Sequence, residues 1–489
     1  MSDDTQVLAI DIGASSGKAL VGRLENDRIR LDEVHRFANG PTEQSGRLIW
    51  DVPALLENVK TCLMAARARH FSPRSLAIDT WGVDYGLIAA DGQVIEPVYA
   101  YRDAAHAAGL AWLHAKIPFE DLYAVTGIQQ MPFNTVYQLA ARAQRNDPAL
   151  SRARTLAMMP ELLTGLLCGE FVAEESNAST SALMDAHTRQ WNERFCAAVG
   201  FPAEKMPPIV PAGRCIKSGV DLAGRPIDIH VPACHDTAAA VAATPLTSAN
   251  SIYISSGTWS LVGMETKLPC LTAAAREARF TNEAGIFGTT RLLTNVMGLW
   301  LLQEARRQWA AQGQAQSFEQ IAQAAAAHTG PVPIVNPDDS RFLAPANMLE
   351  AIAGYCHETG QAPPEGVGAT ARCIEASLAL RYAQVIDQLA RLTERAPDAI
   401  HIVGGGAQDR RLCQAAADVA GLPVIAGPIE CTALGNAVVQ WLARGQIADH
   451  PAARRLIRAS FPTETFLPHP GAAADWSRRK TLFETLPRG

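Results

Sequence analysis

The feature that most constrains this chain lies near its start. Val7 to Ile10 is a short apolar run that predicts a buried strand, and it ends in an acid, Asp11. Gly13, Ala14, Ser15, Ser16 and Gly17 follow, then Lys18. Small residues leave room for a ligand to approach the backbone, and N–H groups and hydroxyls can face anionic oxygens. An acid at a strand end can hold a divalent metal directly or through water. Two further strands are expected, Ala19 to Leu24 and Ile29 to Phe37, turning at Glu25-Asn26-Asp27. A plain hairpin therefore remains an equal reading of this stretch. A Walker A loop is excluded, because the glycine spacing is one residue short and Ala19 follows Lys18. A dinucleotide fingerprint is excluded as well, since a strand follows the turn instead of a helix.

Much later the pattern returns. Ile252 to Ile254 predicts a strand, Ser255-Ser256-Gly257-Thr258 a small hydroxyl-bearing turn, and Trp259 to Met264 a second strand. An internal echo raises the weight of both turns as a matched pair. The chain has 489 residues, enough for two domains, and Pro245 to Ser251 reads as the join between 1–245 and 246–489. Between the turns, a helix from Pro53, a strand from Ser75 to Ile78 and a hairpin at Asp91-Gly92 make an α/β layer. Arg102 and Asp103 read as a surface ion pair. Helices are expected from Asn134, from Glu161 to a stop at Gly169, and from Thr370 to Glu394. After Asp449 one more amphipathic helix is expected.

Two stretches could carry chemistry. His235-Asp236-Thr237 breaks an extended run and opens an alanine-rich helix. Asp236 or Thr237 could simply cap that helix. Asp236 could equally be a carboxylate that takes a proton from a sugar hydroxyl, with His235 binding substrate or packed in a core. Gly404-Gly405-Gly406 ends an apolar strand, where a flat ring could lie on backbone. A net charge of −6 with no basic run argues against nonspecific nucleic-acid binding. The acidic N-terminus is no signal peptide and no apolar run is long enough to span a bilayer, so the cytoplasm is the expected compartment. The cysteines show no metal-binding spacing. Cys356 and Cys373 could be neighbours, a disulfide there being the lesser expectation.

DIGASSGK, IDTWGVDYG, AYRD, CHDTA, SSGTWSL, NVMGLWLLQ, HIVGGGAQ and ALGNA occur in that order. With these motifs the chain resembles the FGGY family of carbohydrate kinases from Val7 to about Gln440. The resemblance implies two ribonuclease-H-like domains of the actin and hexokinase type, with ATP in the cleft between them and sugar deeper. It implies ATP contacts at Ala14, Ser15, Ser16, Gly17, Lys18, Thr258, Gln303 and Gly405. It implies sugar contacts at Gly82, His235, Asp236, Thr237 and Asn295, with Asp236 as proton acceptor. Asp11 takes the position that would organise Mg²⁺ through water. The combination of IDTWGVDYG, CHDTA, SSGTWSL and NVMGLWLLQ implies phosphorylation of L-rhamnulose at its 1-hydroxyl. A sister kinase acting on fuculose or xylulose, or a nucleotide-switched binding protein, is the alternative. The partners implied are sugar and ATP, with no nucleic acid, membrane or obligate protein. Lys18 departs from the family's Arg, replacing a delocalised fork by a point charge. Glu161 stands where relatives often have Asp.

Overall fold

The computed structural model describes residues 3–222 and 224–487, and the chain in it divides into two compact units. The first holds the chain up to Pro245 together with Glu265–Leu292 and Cys431–Phe461. The second holds Leu246–Met264, Leu293–Glu430 and the chain from Pro462 onward.

The first unit is built on a six-stranded sheet in the order Cys215–Leu222, Arg225–His230, Ser75–Thr80, Val7–Ile12, Ser16–Glu25, Arg28–Ala38. Val7–Ile12, apolar at every position but Asp11, is buried throughout, as befits a central strand. It pairs antiparallel with Ser16–Glu25 and parallel with Ser75–Thr80. Asn26 and Asp27 both adopt positive φ (49° and 55°) at the next turn, where Asn and Asp tolerate it best. One side of the sheet packs on the helix Val52–Ala68, which Asp51 starts by accepting the Ala54 N–H at 2.9 Å. Another helix, Cys431–Ala443, packs against Val7–Ile12 and against the helix Asp236–Ala243. A Cβ on Gly435 would lie 1.7 Å from the Ala239 carbonyl oxygen, so these two helices meet backbone to backbone. A second apolar core gathers Leu87, Val136, Leu139, Leu156, Phe195 and Phe201.

In the second unit the strands Trp259–Thr266, Ile252–Ser256, Ile400–Val403, Val424–Ala426 and Glu464–Phe466 lie side by side in that order. Again a central strand has an antiparallel partner following it and a parallel one arriving later. The long helix runs Gly366–Thr393.

Several expectations change. Asp103 is buried and pairs with Arg47 at 2.8 Å instead of Arg102, whose guanidinium bonds Tyr101 Oη. Burial decides this: a fully enclosed carboxylate needs a charged or donor partner, and Arg47, Leu48 N and Ala105 N all supply one. After Asp449 there are two helices, His450–Ser460 and Ala473–Thr485, with the strand Glu464–Phe466 between them. Cys356 and Cys373 are buried neighbours, but free thiols.

Candidate active site

The first turn is tighter than its sequence suggests. Ser16–Glu25 is already strand, leaving Gly13, Ala14 and Ser15 as the turn. Gly13 N donates to the Ser16 carbonyl at 2.9 Å, and Asn39 Nδ2 donates to the Gly13 carbonyl at 2.8 Å. Ser16 is exposed but Gly17 is buried. Its missing Cβ would lie 2.2 Å from the Phe37 ring, so packing explains this glycine, and ligand access does not. Lys18 Nζ lies 3.3 Å from Asp11 Oδ2.

Beside Asp11 sits an acid that the sequence reading passed over as a ligand. Asp79 is directly opposite Asp11 in the parallel register, so both side chains share one face of the sheet. Asp79 is wholly buried, and burial first, then the Asp11 charge, push its carboxyl well above the usual range. Oδ2 accepts a 2.6 Å hydrogen bond from Asn436 Nδ2, while Oδ1 is buried with no partner. Asn436 also reaches the Ala77 carbonyl, and Gln440 on the next helical turn bonds the Leu8 carbonyl and Ser75. The ALGNA motif thus places the Asn436 amide on Asp79, while its Gly435 lets the helix meet Asp236–Ala243. Among the described residues no group of three or more His, Cys, Asp or Glu could cage a metal. Two carboxylates with one unsatisfied oxygen suit Mg²⁺, which keeps much of its shell as water and phosphate oxygens.

The IDTWGVDYG motif builds a second polar centre. The Trp50 and Trp81 rings lie tilted at 35° with centroids 4.2 Å apart, and both indole N–H groups donate to Asp84 Oδ2, at 2.6 and 2.9 Å. Gln138 Nε2 and Tyr101 N donate to the same carboxylate at 3.0 Å each. Burial nonetheless pushes Asp84 up to about 6, because its donors are all neutral. Gly82 rests on Thr180: a Cβ there would lie 3.0 Å from that side chain.

His235-Asp236-Thr237 begins the helix Asp236–Ala243 with His235 as N-cap and no side-chain cap, so neither Asp236 nor Thr237 is the cap. A buried acid fixes the approach: Glu174 accepts from Cys234 N at 2.9 Å and from Ser176, whose Oγ meets His235 N at 3.3 Å. Asp236 is about one-third exposed, 32% of its side chain. Its Oδ1 takes every contact: Thr237 N at 2.5 Å, Thr237 Oγ1 at 3.1 Å and His235 Nε2 at 3.3 Å. Among the described residues no hydrogen bond falls on Oδ2. Negative charge is favourable in the first turn of a helix. Behind His235, Glu283 and Arg291 form a buried ion pair that sequence reading missed, because neither lies in a recognisable motif.

In the second unit the turn is only Gly257 and Thr258. Ser256 is buried in the strand, 3.4 Å from Ser260 Oγ, so Thr258 is the hydroxyl the turn presents. Thr258 Oγ1 bonds Gln303 Oε1 at 3.3 Å, from the first turn of the helix Trp300–Ala311. The triple-glycine stretch packs on the same strand. A Cβ on Gly406 would lie 2.1 Å from Ser256 Oγ, and one on Gly404 2.8 Å from its carbonyl. Gly405 has nothing nearer than 4.0 Å. The structure thus brings Thr258, Gln303 and Gly405 around one turn. Asn295 is half-buried in the strand Thr290–Met297, on the second unit's part of it.

Models of the N-terminal and C-terminal domains of the FGGY family of carbohydrate kinases match residues 6–241 and 252–444. The chain belongs to this family. It is 39% identical to a rhamnulokinase of Bacteroides thetaiotaomicron, over 98% of this chain and 99% of that one. It is 38% identical to a rhamnulokinase of Pectobacterium carotovorum, over 99% and 98% of the two chains. Among solved structures, a xylulose kinase from Rhodospirillum rubrum superposes with a TM-score of 0.78 at 19% identity, covering 98% of both chains. A gluconate kinase from Lactobacillus acidophilus gives 0.79 at 14% identity, covering 98% of this chain and 96% of that one. At such identities these structures speak for the shared fold alone. The protein is therefore a two-domain α/β sugar kinase, a phosphotransferase that uses ATP. No helix among the described residues is long and apolar enough to cross a membrane.

Proposed function

We infer that the protein transfers the terminal phosphoryl group of ATP to the primary 1-hydroxyl of L-rhamnulose. The products are L-rhamnulose 1-phosphate and ADP, a step of L-rhamnose breakdown. Near full-length likeness to curated rhamnulokinases supports the substrate. The observation that carries the chemistry is the open Oδ2 of Asp236. A carboxylate whose contacts all fall on one oxygen can receive a proton on the other.

In this reading Asp236 accepts the proton of the 1-hydroxyl as that oxygen attacks the phosphorus in line. Gly82, His235, Thr237 and Asn295 hold the sugar with it. Ala14, Ser15, Ser16 and Lys18 take the phosphate side of ATP in domain 1–245. Thr258 takes phosphate and Gln303 and Gly405 the adenosine side in domain 246–489. Lys18 meets negative charge that grows on the transferred group. Asp11, with Asp79 beside it, would hold Mg²⁺ through water, and the bound ion would supply charge neutralisation. We place the enzyme in the cytoplasm, where ATP is available.

The test is ADP release with a panel of ketoses, using the wild type and Asp236→Asn. L-rhamnulose should give the highest kcat/KM, and the variant should lose at least ~10²-fold in kcat with ATP binding nearly intact. Preference for fuculose or xylulose would replace the substrate. Near-normal turnover in the variant would remove Asp236 as the base.

A further inference from the structure

His235 is held from behind by a pair of charged residues. The strands carrying Glu283 and Arg291, Thr281–Ala284 and Thr290–Met297, are joined by a short turn closed by Gly285 N donating to the Thr289 carbonyl at 2.8 Å. Arg291 has no exposed surface, and Glu283 is 7% exposed. Arg291 Nη2 lies 2.9 Å from Glu283 Oε2 and 3.2 Å from His235 Nδ1. Glu283 Oε2 is itself 3.3 Å from that Nδ1, yet it makes no well-directed hydrogen bond. Arg291 Nε donates to the Ala284 carbonyl at 3.2 Å, which fixes the guanidinium plane.

A guanidinium only donates. If Arg291 donates to Nδ1, that nitrogen carries a lone pair, and the neutral ring carries its proton on Nε2. Nε2 faces Asp236 Oδ1 at 3.3 Å. With the proton on Nδ1 instead, a lone pair would face the Asp236 carboxylate, and the N–H would meet the Arg291 cation at 3.2 Å beside Glu283 Oε2, which makes no directed hydrogen bond to it. Glu283 offsets the buried Arg291 charge, without which that charge would be uncompensated. Burial favours a neutral Glu283, but the Arg291 charge outweighs it and holds the carboxyl below its ordinary value.

We propose that Glu283 and Arg291 are positioning residues for phosphoryl transfer. They hold His235 as the tautomer protonated on Nε2, and the charge contact of that N–H with Oδ1, 3.3 Å away, orients Asp236 so that Oδ2 meets the acceptor hydroxyl. The proposal rests on Asp236 being the base.

The experiment compares Glu283→Gln in the wild-type and in the Asp236→Asn background. In the first, kcat should fall tenfold or more while KM for ATP stays within twofold. In the second, Glu283→Gln should change kcat less than twofold, because the group it positions is gone. An equal fold loss in both backgrounds would mark Glu283 as merely structural and overturn the proposal, as would a wild-type kcat in the single variant. Nitrogen-15 NMR of the full-length wild type, with the His235 signals assigned by their loss in His235→Gln, reads the tautomer directly. A proton on Nδ1 would overturn the proposal even if Glu283→Gln fails to fold. Full activity in Asp236→Asn alone would instead defeat the base assignment itself.

Discussion

The two hairpin turns share one backbone plan and differ in charge. Each follows a central strand, runs into an antiparallel partner, and lies beside a parallel strand that arrives later in the chain. At the first, Asp11 faces Asp79 with Lys18 at 3.3 Å. Toward the same end of the second, Ser255 faces Val403 and the turn offers Thr258 bonded to Gln303. A repeated fold thus need not repeat its electrostatics. One copy gathers two carboxyl groups and a cation at its turn, the other a hydroxyl and an amide.

The largest break in that contrast should come from Asp11→Asn. It should lower kcat on the order of 10²–10³-fold, the scale of removing one preorganised charge contact. A Mg²⁺ titration of initial rate should show half-saturation moving upward. A loss under tenfold would dissolve the distinction between the turns.

A second contrast sharpens the first: Asp11 has a cation beside it, and buried Glu161 has none among the described residues. Burial pushes Glu161 up to about 7 from 4.5, although Glu174 N and Asn177 Nδ2 both donate to it. Folding therefore favours its protonated form. That contribution is fully present below pH 4.5 and is lost as pH rises through 7. Its full extent is about 3–4 kcal/mol, at roughly 1.4 kcal/mol per unit. Glu161→Gln stays neutral throughout, and the unpartnered Asn177 Oδ1 can accept from its new amide after a flip. The melting temperature of Glu161→Gln relative to wild type should therefore climb between pH 5 and pH 8. A constant difference would contradict the shift.

Thr258→Ala should be milder than Asp11→Asn. One neutral hydrogen bond is worth about 1 kcal/mol, so kcat/KM should fall about tenfold or less, chiefly through KM for ATP. Smallest, and purely structural, is the pair Gly17→Ala and Gly257→Ala. The first pushes on the Phe37 ring and should destabilise by about 1 kcal/mol, relieved when Phe37 is also Leu. The second has its nearest atom at 3.9 Å and should change urea-unfolding stability by only a few tenths of a kcal/mol. Equal penalties would mean that the two glycines serve one purpose.

The strands, the hairpins and the paired turns were legible in the sequence because apolar runs and small residues report local geometry. Val7–Ile12, the helix ending at Gly169 and the helix after Asp236 all follow from such cues. What stayed hidden depends on pairing across long separations. Asp79 reads as one more acid until parallel register sets it against Asp11. Asn436 is 357 residues from the carboxylate it bonds, and Arg47 is 56 residues from Asp103. Glu283 and Arg291 carry no local pattern, and only burial beside His235 gives them meaning.

The helix Cys431–Ala443 has a consequence for how the polypeptide is made. It supplies the surface against which the strand Val7–Ile12 and the Asp236 helix lie, and its amides close hydrogen bonds to Leu8, Ser75 and Asp79. On the ribosome, the opening 245 residues emerge long before that surface exists. The first unit must wait, part-finished, until translation passes residue 461. A gene truncated at the join would encode a sheet with one side bare, prone to chaperone capture or precipitation.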